Sequence, residues 1–160
     1  MREADADGTR SLVALQRLQA AYGDAVTRRA WDDVRSLFEP DATVHIDTRA
    51  RPPFELAGPD EVVAFIDRAL EPFAFFEFAI LNAVVHLDDG DGDRATGRVY
   101  ICELRHDREG AWSEAYGLYV DRYRRRDGTW RIQQRHYSSL ARRGDGRIES
   151  FGMPPATGPS

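Results

Sequence analysis

The sequence predicts an α+β domain in which three helices cover a highly curved, mixed or antiparallel sheet. We expect the sheet to form a cone around one pocket. Two observations predict this class. Apolar residues recur at helical spacing up to Leu70, whereas the chain from Phe75 onward is rich in aromatic and β-branched residues. Short turns that contain Gly and Asp divide the second part into long strands, and helices followed by strands are typical of the α+β class.

Two helical segments open the domain. Thr9 and Ser11 are candidate N-caps of the first helix, and Tyr22 lies on its apolar face. The second helix is short, contains Trp31 and ends at a Pro-Asp pair. The next apolar run, Ala42–Asp47, predicts a strand.

The third helix begins at Pro59, where two acids follow in the first turn, and it ends at Pro72. The turn between Arg126 and Gly128 indicates a hairpin near the end of the sheet. The remaining strands are predicted at Phe75–Leu87, Ala95–Arg105, Trp112–Arg125 and Thr129–Ser139.

Composition excludes several functional classes. A net charge of −5 and a pI near 5.4 argue against nucleic-acid binding, which needs a basic surface. No apolar run approaches a membrane span, and Cys102 is the only cysteine, which suits a reducing cytoplasm. We expect residues 11–140 to form the domain, residues 1–10 to be flexible, and residues 141–160 to form a tail that could close the pocket as a lid.

The sequence contains no metal or cofactor motif. No two histidines have the spacing of a helical metal site, and neither a phosphate-binding loop nor a nucleophile elbow occurs. The Asp-rich segment 88–93 superficially resembles a calcium loop, but Tyr100 stands where the final glutamate of that loop would be. We therefore predict a cofactor-independent protein without a metal.

One strand carries the best candidate for a general base. Alternation in Ala95–Arg105 places Val99, Ile101, Glu103 and Arg105 on the inner face. A carboxylate in a poorly solvated cone could move protons near neutral pH, so Glu103 is the candidate base and Arg105 its partner or an anion stabiliser. The alternative is an ion pair at the mouth of the cone.

The next strand contributes a phenol and a second carboxylate to the same face. Tyr119 is a candidate donor to a carbonyl or an oxyanion, with a core aromatic as the alternative. Asp121 is expected to pair with Arg131 or Arg135, in a structural role.

Tyr22 and His136 complete the candidate catalytic set. Tyr22 comes from the first helix and needs a hydrogen-bond partner when buried. His136 alternates with Trp130 and Ile132, which predicts that it points inward as a proton shuttle. The alternative for each is a satisfied core residue.

Aromatic residues are concentrated around the third helix and its exit, which suits a flat, hydrophobic ligand such as a polyketide, a terpenoid or a steroid-like ring system. The predicted substrate-binding residues are Trp31, Phe54, Phe65, Phe78, Val99, Ile101 and Arg105.

Four segments carry a resemblance to a known family. They are AYGDAVTRRAWDDVRSLFEPDATV, LAGPDEVVAFID, LNAVVHLDDGDGDRATGRVY and YGLYVDRYRRRDGTWRIQQR. Together they resemble the SnoaL-like branch of the nuclear-transport-factor-two-like superfamily, which includes scytalone dehydratase, ketosteroid isomerase and polyketide cyclases. The resemblance implies a cystatin-like α+β barrel and a lyase, isomerase or cyclase acting on a hydrophobic small molecule. It also implies a homodimer or trimer formed through the outer face of the sheet.

The sequence departs from that family at two positions. Dehydratase-type members resemble one another in an Asp on the first helix and a His in the first long strand, where this chain has Thr27 and Phe78. This departure keeps open two alternatives, a binding or assembly module without catalysis and the small subunit of a ring-hydroxylating dioxygenase.

Overall fold

The computed structural model describes the backbone of residues 3–155 and the side chains of residues 6–155. Helices come first and strands follow, as predicted, and the α+β class is confirmed. None of the described helices is long and apolar enough to cross a membrane. The elements are α1 (Glu3–Arg28), α2 (Trp31–Ser36), β1 (Phe38–Asp47), β2 (Phe54–Ala57), α3 (Gly58–Leu70), β3 (Phe73–Leu87), β4 (Arg94–Asp107), β5 (Trp112–Arg126), β6 (Thr129–Gly144) and β7 (Arg147–Ser150).

The strands form one curved, mixed sheet in the order β2-β1-β6-β5-β4-β3, and β7 adds to β6. Every neighbouring pair is antiparallel except β1 and β6, which run parallel. Since β2 and β3 lie at opposite ends of this order, the sheet is an unclosed cone. Helices α1 and α3 pack against the sheet and enclose a buried apolar core.

The first helix begins at Glu3, so the prediction of a start at Thr9 or Ser11 is wrong. Alanine and glutamate, which occur in this segment, favour helix. The guanidinium of Arg125, on β5, also holds this segment, since it pairs with Asp7 at 3.4 Å and donates to Ser11 at 3.2 Å.

The chain end continues the sheet further than predicted. Strand β6 runs to Gly144, and β7 returns alongside it. Beyond β7, the Phe151 amide donates to Leu140 O, and the Phe151 ring lies 4.7 Å from Arg142 Cζ. Residues 156–160 of the proposed lid lie outside the described residues.

A β-bulge in β6 changes which side chains point into the cone. Tyr123 pairs with Ile132 and Arg122 pairs with Gln134, so Gln133 is an extra residue without a partner. An extra residue shifts the alternation by one position. The residues that follow the bulge therefore exchange faces.

This shift overturns the predicted face of His136. Trp130 and Ile132 are buried, as predicted, but after the bulge the buried side chain is that of Arg135. The prediction that His136 shares a face with Trp130 and Ile132 is wrong, because simple alternation does not count the extra residue.

Candidate active site

A cavity of about 420 Å³ opens between the inner face of the sheet and helices α1 and α3. Its deep end is formed by buried residues that include Tyr22, Phe38 and Arg135, whereas Arg51 and Ala69 at its rim are exposed. The volume is sufficient for a small ring system, at the lower end of the usual range for ligand pockets.

The cavity brings together part of the predicted site. Glu103, Tyr22 and Tyr119 of the candidate catalytic set line it, and His136 does not. The predicted substrate-binding residues that line it are Phe65, Phe78 and Arg105.

The other predicted substrate-binding residues lie behind the cavity wall. Val99 and Ile101 are fully buried in the core, as expected for the inner face, but they do not line the cavity. Phe54 packs behind Phe65, with ring centroids 5.3 Å apart, and Trp31 packs against the core from α2. The prediction that these four residues contact the substrate is therefore corrected, because other side chains separate them from the cavity. A sequence pattern predicts the face on which a residue lies, but not which residues other side chains cover.

Glu103 is the only carboxylate among the described residues that line the cavity. Its side chain is 17% exposed, and Arg105 holds it. Arg105 Nε donates to Glu103 Oε2 at 3.0 Å, and Arg105 Nη2 donates to the same oxygen. The second oxygen, Oε1, accepts no hydrogen bond from the described residues. It can therefore accept a proton or a hydrogen bond from a ligand.

Arg135 provides a buried cation at the deep end. Its Nε donates to Asp121 Oδ1 at 2.8 Å and its Nη2 donates to Asp121 Oδ2 at 2.7 Å, a bidentate pair with both side chains almost fully buried. Burial lowers the pKa of Arg135, but the Asp121 carboxylate raises it more, so the guanidinium stays charged. Of the two predicted partners of Asp121, Arg135 is confirmed.

Gln19 and Tyr123 complete this buried network. Gln19 Oε1 accepts from Arg135 Nη2 at 3.2 Å, while Gln19 Nε2 donates to Asp121 at 3.1 Å and to the Tyr123 hydroxyl. Tyr123 in turn donates to Asp121 at 2.9 Å. Because several partners fix both ions, the guanidinium has one well-defined orientation.

One nitrogen of Arg135 remains available. Nη1 is buried and has no hydrogen-bond partner. The guanidinium carbon lies 3.9 Å from the ring centroid of Tyr119 and 4.4 Å from that of Tyr22, so aromatic faces flank the cation. An unpaired donor in a buried site is costly unless a water or a ligand satisfies it. Arg135 can therefore donate a charge-assisted hydrogen bond to an oxygen in the cavity.

The two phenols beside Arg135 are held protonated. Burial raises the pKa of Tyr22, although the nearby Arg135 charge opposes this, and burial raises the pKa of Tyr119 well above its ordinary value. Tyr137 also lines the cavity, and burial, with the charge of Glu103, raises its pKa to about 12. All three hydroxyls are therefore hydrogen-bond donors at neutral pH.

Thr27 and Phe78, the two positions at which the sequence departs from the family it resembles, contact each other. Thr27 Oγ1 accepts a hydrogen bond from the Phe78 amide at 3.0 Å, which ties α1 to β3. The Phe78 ring lines the cavity, whereas neither side chain can take up a proton near neutral pH. These two positions therefore give the cavity no side chain that titrates near neutral pH.

His136 stacks on His45, with ring centroids 4.9 Å apart, where β1 and β6 run side by side. Burial lowers the pKa of His136, and the neighbouring His45 lowers it further. No group of three or more potential metal ligands occurs among the described side chains.

Sequence reasoning missed Arg135 and Tyr137 as cavity residues, and it missed Gln19 as the support of Arg135. Arg135 could be predicted in part, because a carboxylate such as Asp121 on the inner face requires a cationic partner. The signal for Gln19 was absent, since a glutamine on a helix has no pattern that predicts burial at 2% exposure.

Solved structures of several proteins share this fold at low sequence identity. A candidate scytalone dehydratase from Novosphingobium aromaticivorans is 17% identical, with a TM-score of 0.78 over 96% of this chain and 99% of its own. The hexachlorocyclohexane dehydrochlorinase LinA-type3 from Novosphingobium barchaimii is 20% identical, with a TM-score of 0.73 over 94% of this chain and 99% of its own. An uncharacterised protein with a cystatin-like fold from Caulobacter vibrioides is 17% identical, with a TM-score of 0.66 over 81% of this chain and 89% of its own.

These likenesses confirm the predicted cystatin-like fold. No curated protein matches the sequence significantly. The family model described as SnoaL-like domain matches residues 9–136, which is most of the chain and includes every residue of the Arg135 network. The chain is therefore a member of the SnoaL-like domain family.

Proposed function

We propose that this protein is a cofactor-independent lyase, isomerase or cyclase that uses general acid–base chemistry on a hydrophobic small molecule. The observation that carries the proposal is the convergence of one carboxylate, Glu103, with the free Nη1 of buried Arg135 in one largely apolar cavity. A proton acceptor and an oxyanion donor are the two parts that enolate chemistry requires.

Glu103 is the proton carrier in this scheme. Its carboxylate takes a proton from a carbon beside a substrate carbonyl, and the electron pair of the broken C–H bond moves toward the carbonyl oxygen. Arg135 and the Tyr119 hydroxyl, with Tyr22 beside them, donate hydrogen bonds to the oxygen that gains negative charge. Glu103 then returns the proton to another carbon in an isomerisation, or a leaving group departs in an elimination.

A hydrogen–deuterium exchange experiment tests this role without the natural substrate. The protein is incubated in D₂O with 2-tetralone, an apolar bicyclic ketone, and NMR measures deuterium entering the carbon beside the carbonyl. We expect exchange above the buffer rate, and a decrease of about 10²-fold or more in Glu103→Gln. His136→Gln is the matched control and should keep the wild-type rate, because His136 does not line the cavity.

Full exchange in Glu103→Gln would contradict the proposal. A ketone that binds but does not exchange in the wild-type protein would favour a second candidate, a binding module without catalysis. Thr27 and Phe78 favour that candidate, because they stand where the resembled dehydratases have a titratable pair. Neither side chain exchanges a proton near neutral pH. The polar groups that converge inside the cavity favour the enzyme.

A further inference from the structure

The cavity is cationic in a chain whose net charge is −5. Four arginines line it, Arg51, Arg105, Arg135 and Arg142, against the single carboxylate of Glu103. A ligand without charge would not need this excess. The distribution of the partners of these arginines shows where the excess lies.

Two of the four arginines are neutralised. Arg105 pairs with Glu103, and Arg135 makes its bidentate pair with Asp121. The positive charge that no buried carboxylate compensates therefore belongs to the other two, Arg51 and Arg142, which lie toward the exposed rim of the cavity.

Arg142 is only partly compensated. Its Nη2 donates to Thr48 O at 3.3 Å, and the Phe151 ring lies 4.7 Å from its Cζ. Its Nε is 3.2 Å from a carboxylate oxygen of Glu149, whose side chain is 61% exposed, yet Nε is buried and makes no hydrogen bond of acceptable geometry. Because the Glu149 carboxylate is exposed, water screens much of its charge, and this ion pair compensates Arg142 only in part.

Arg51 has no ion pair among the described residues. Its Cζ lies 4.2 Å from the ring centroid of Phe54 and 5.9 Å from that of Phe65. These rings hold the guanidinium at the rim while its hydrogen-bond donors remain open. Thr48, which binds Arg142, lies three residues before Arg51 and lines the same cavity.

We propose that the ligand is an amphipathic acid, with an apolar ring body inside the cavity and an anionic head group, such as a carboxylate, between Arg51 and Arg142 at the rim. This inference rests on the proposed function, because it assumes that the same cavity holds the substrate. Guanidinium groups bind carboxylates with charge-assisted hydrogen bonds, and Arg51 and the partly compensated Arg142 supply them.

A matched pair of fluorescent probes tests the inference. 8-Anilinonaphthalene-1-sulfonate is anionic, whereas N-phenyl-1-naphthylamine has the same ring system without the charge. We expect Arg51→Gln and Arg142→Gln each to weaken binding of the anionic probe about fivefold to tenfold, in keeping with charged hydrogen bonds at a partly exposed site. Binding of the neutral probe should change less than about twofold, since apolar burial does not depend on these charges.

Arg17→Gln is the control for total charge, because Arg17 is exposed on α1 and does not line the cavity. It should leave both affinities unchanged, and circular dichroism should show that every variant is folded. Equal effects of the arginine variants on both probes, or no effect on either, would overturn the anionic head group and leave the proposed function intact. Failure of both probes to bind the wild-type protein would overturn the inference and the proposed function together.

Discussion

At the scale of single residues, the site depends on how Arg135 is buried. A guanidinium at 1% exposure is tolerated because Asp121, at 0%, compensates its charge and Gln19 satisfies a further donor. The pair is costly to bury, so it is weak evidence for stability in itself. Its value lies in fixing the orientation of the guanidinium, whose Nη1 makes no hydrogen bond within the protein.

Asp121→Asn tests this dependence, because it keeps the shape of the side chain and removes its charge. We expect a loss of about 3–5 kcal/mol in the free energy of unfolding, since the Arg135 cation is left buried without a counter-charge. Urea denaturation measures the change. Asp24→Asn breaks the exposed pair with Arg28 and should have little effect. A similarly small loss in Asp121→Asn would show that the pair is not buried.

At the scale of elements, β5 and β6 shape the cavity through one close approach. Gly117 lies under Tyr137, and a Cβ at this position would come within 2.3 Å of Tyr137 Cε2. Only glycine therefore leaves room for the Tyr137 ring against β5 at this position. The bulge at Gln133 places Arg135 and Tyr137 on the inner face at the same time.

Gly117→Ala should push the Tyr137 ring into the cavity. We expect a destabilisation of about 1–3 kcal/mol, the usual cost of overpacking, together with weaker binding of N-phenyl-1-naphthylamine. Thermal denaturation and a fluorescence titration measure the two effects. Gly92→Ala is the matched control, because its Cβ would lie 3.9 Å from the nearest atom. Unchanged probe binding in Gly117→Ala would contradict the steric role of this glycine.

At the scale of the whole molecule, the outer face of the sheet bears an exposed aromatic pair. Phe75 and Trp112 are stacked with centroids 5.9 Å apart, and they remain 42% and 46% exposed. Such a pair suits a contact between two copies of the chain, because aromatic residues are enriched in interfaces. The helices occupy the inner face, so the outer face is free to form this contact.

We therefore expect a homodimer through this outer face. Light scattering after size exclusion should give a mass of twice 18.1 kDa. Trp112→Gln should return the mass to that of one chain by removing the central apolar contact, whereas Ile148→Gln, a substitution at an exposed residue of β7, should not. A monomer in the wild-type protein would show that the aromatic pair faces solvent.

Some parts of the site could be predicted from local patterns. The register of β4 with β5 has no shift from Ala95 to Glu103, so the inward position of Glu103 followed from counting. The same counting failed in β6, where the bulge at Gln133 replaced His136 by Arg135 on the inner face. A bulge is set by pairing with the neighbouring strand, and a single strand carries no pattern that reveals it.

The sequence by itself determined the order of helices and strands, the inner face of β4 and the net charge of −5, because each of these depends on local periodicity or on composition. Only the tertiary structure decided which inner residues reach the cavity, because depth depends on the side chains that cover them. It also decided that Gln19, Asp121 and Arg135 meet. Gln19 is separated from these two partners by 102 and 116 positions of sequence, and the packing of α1 against the curved sheet brings them together.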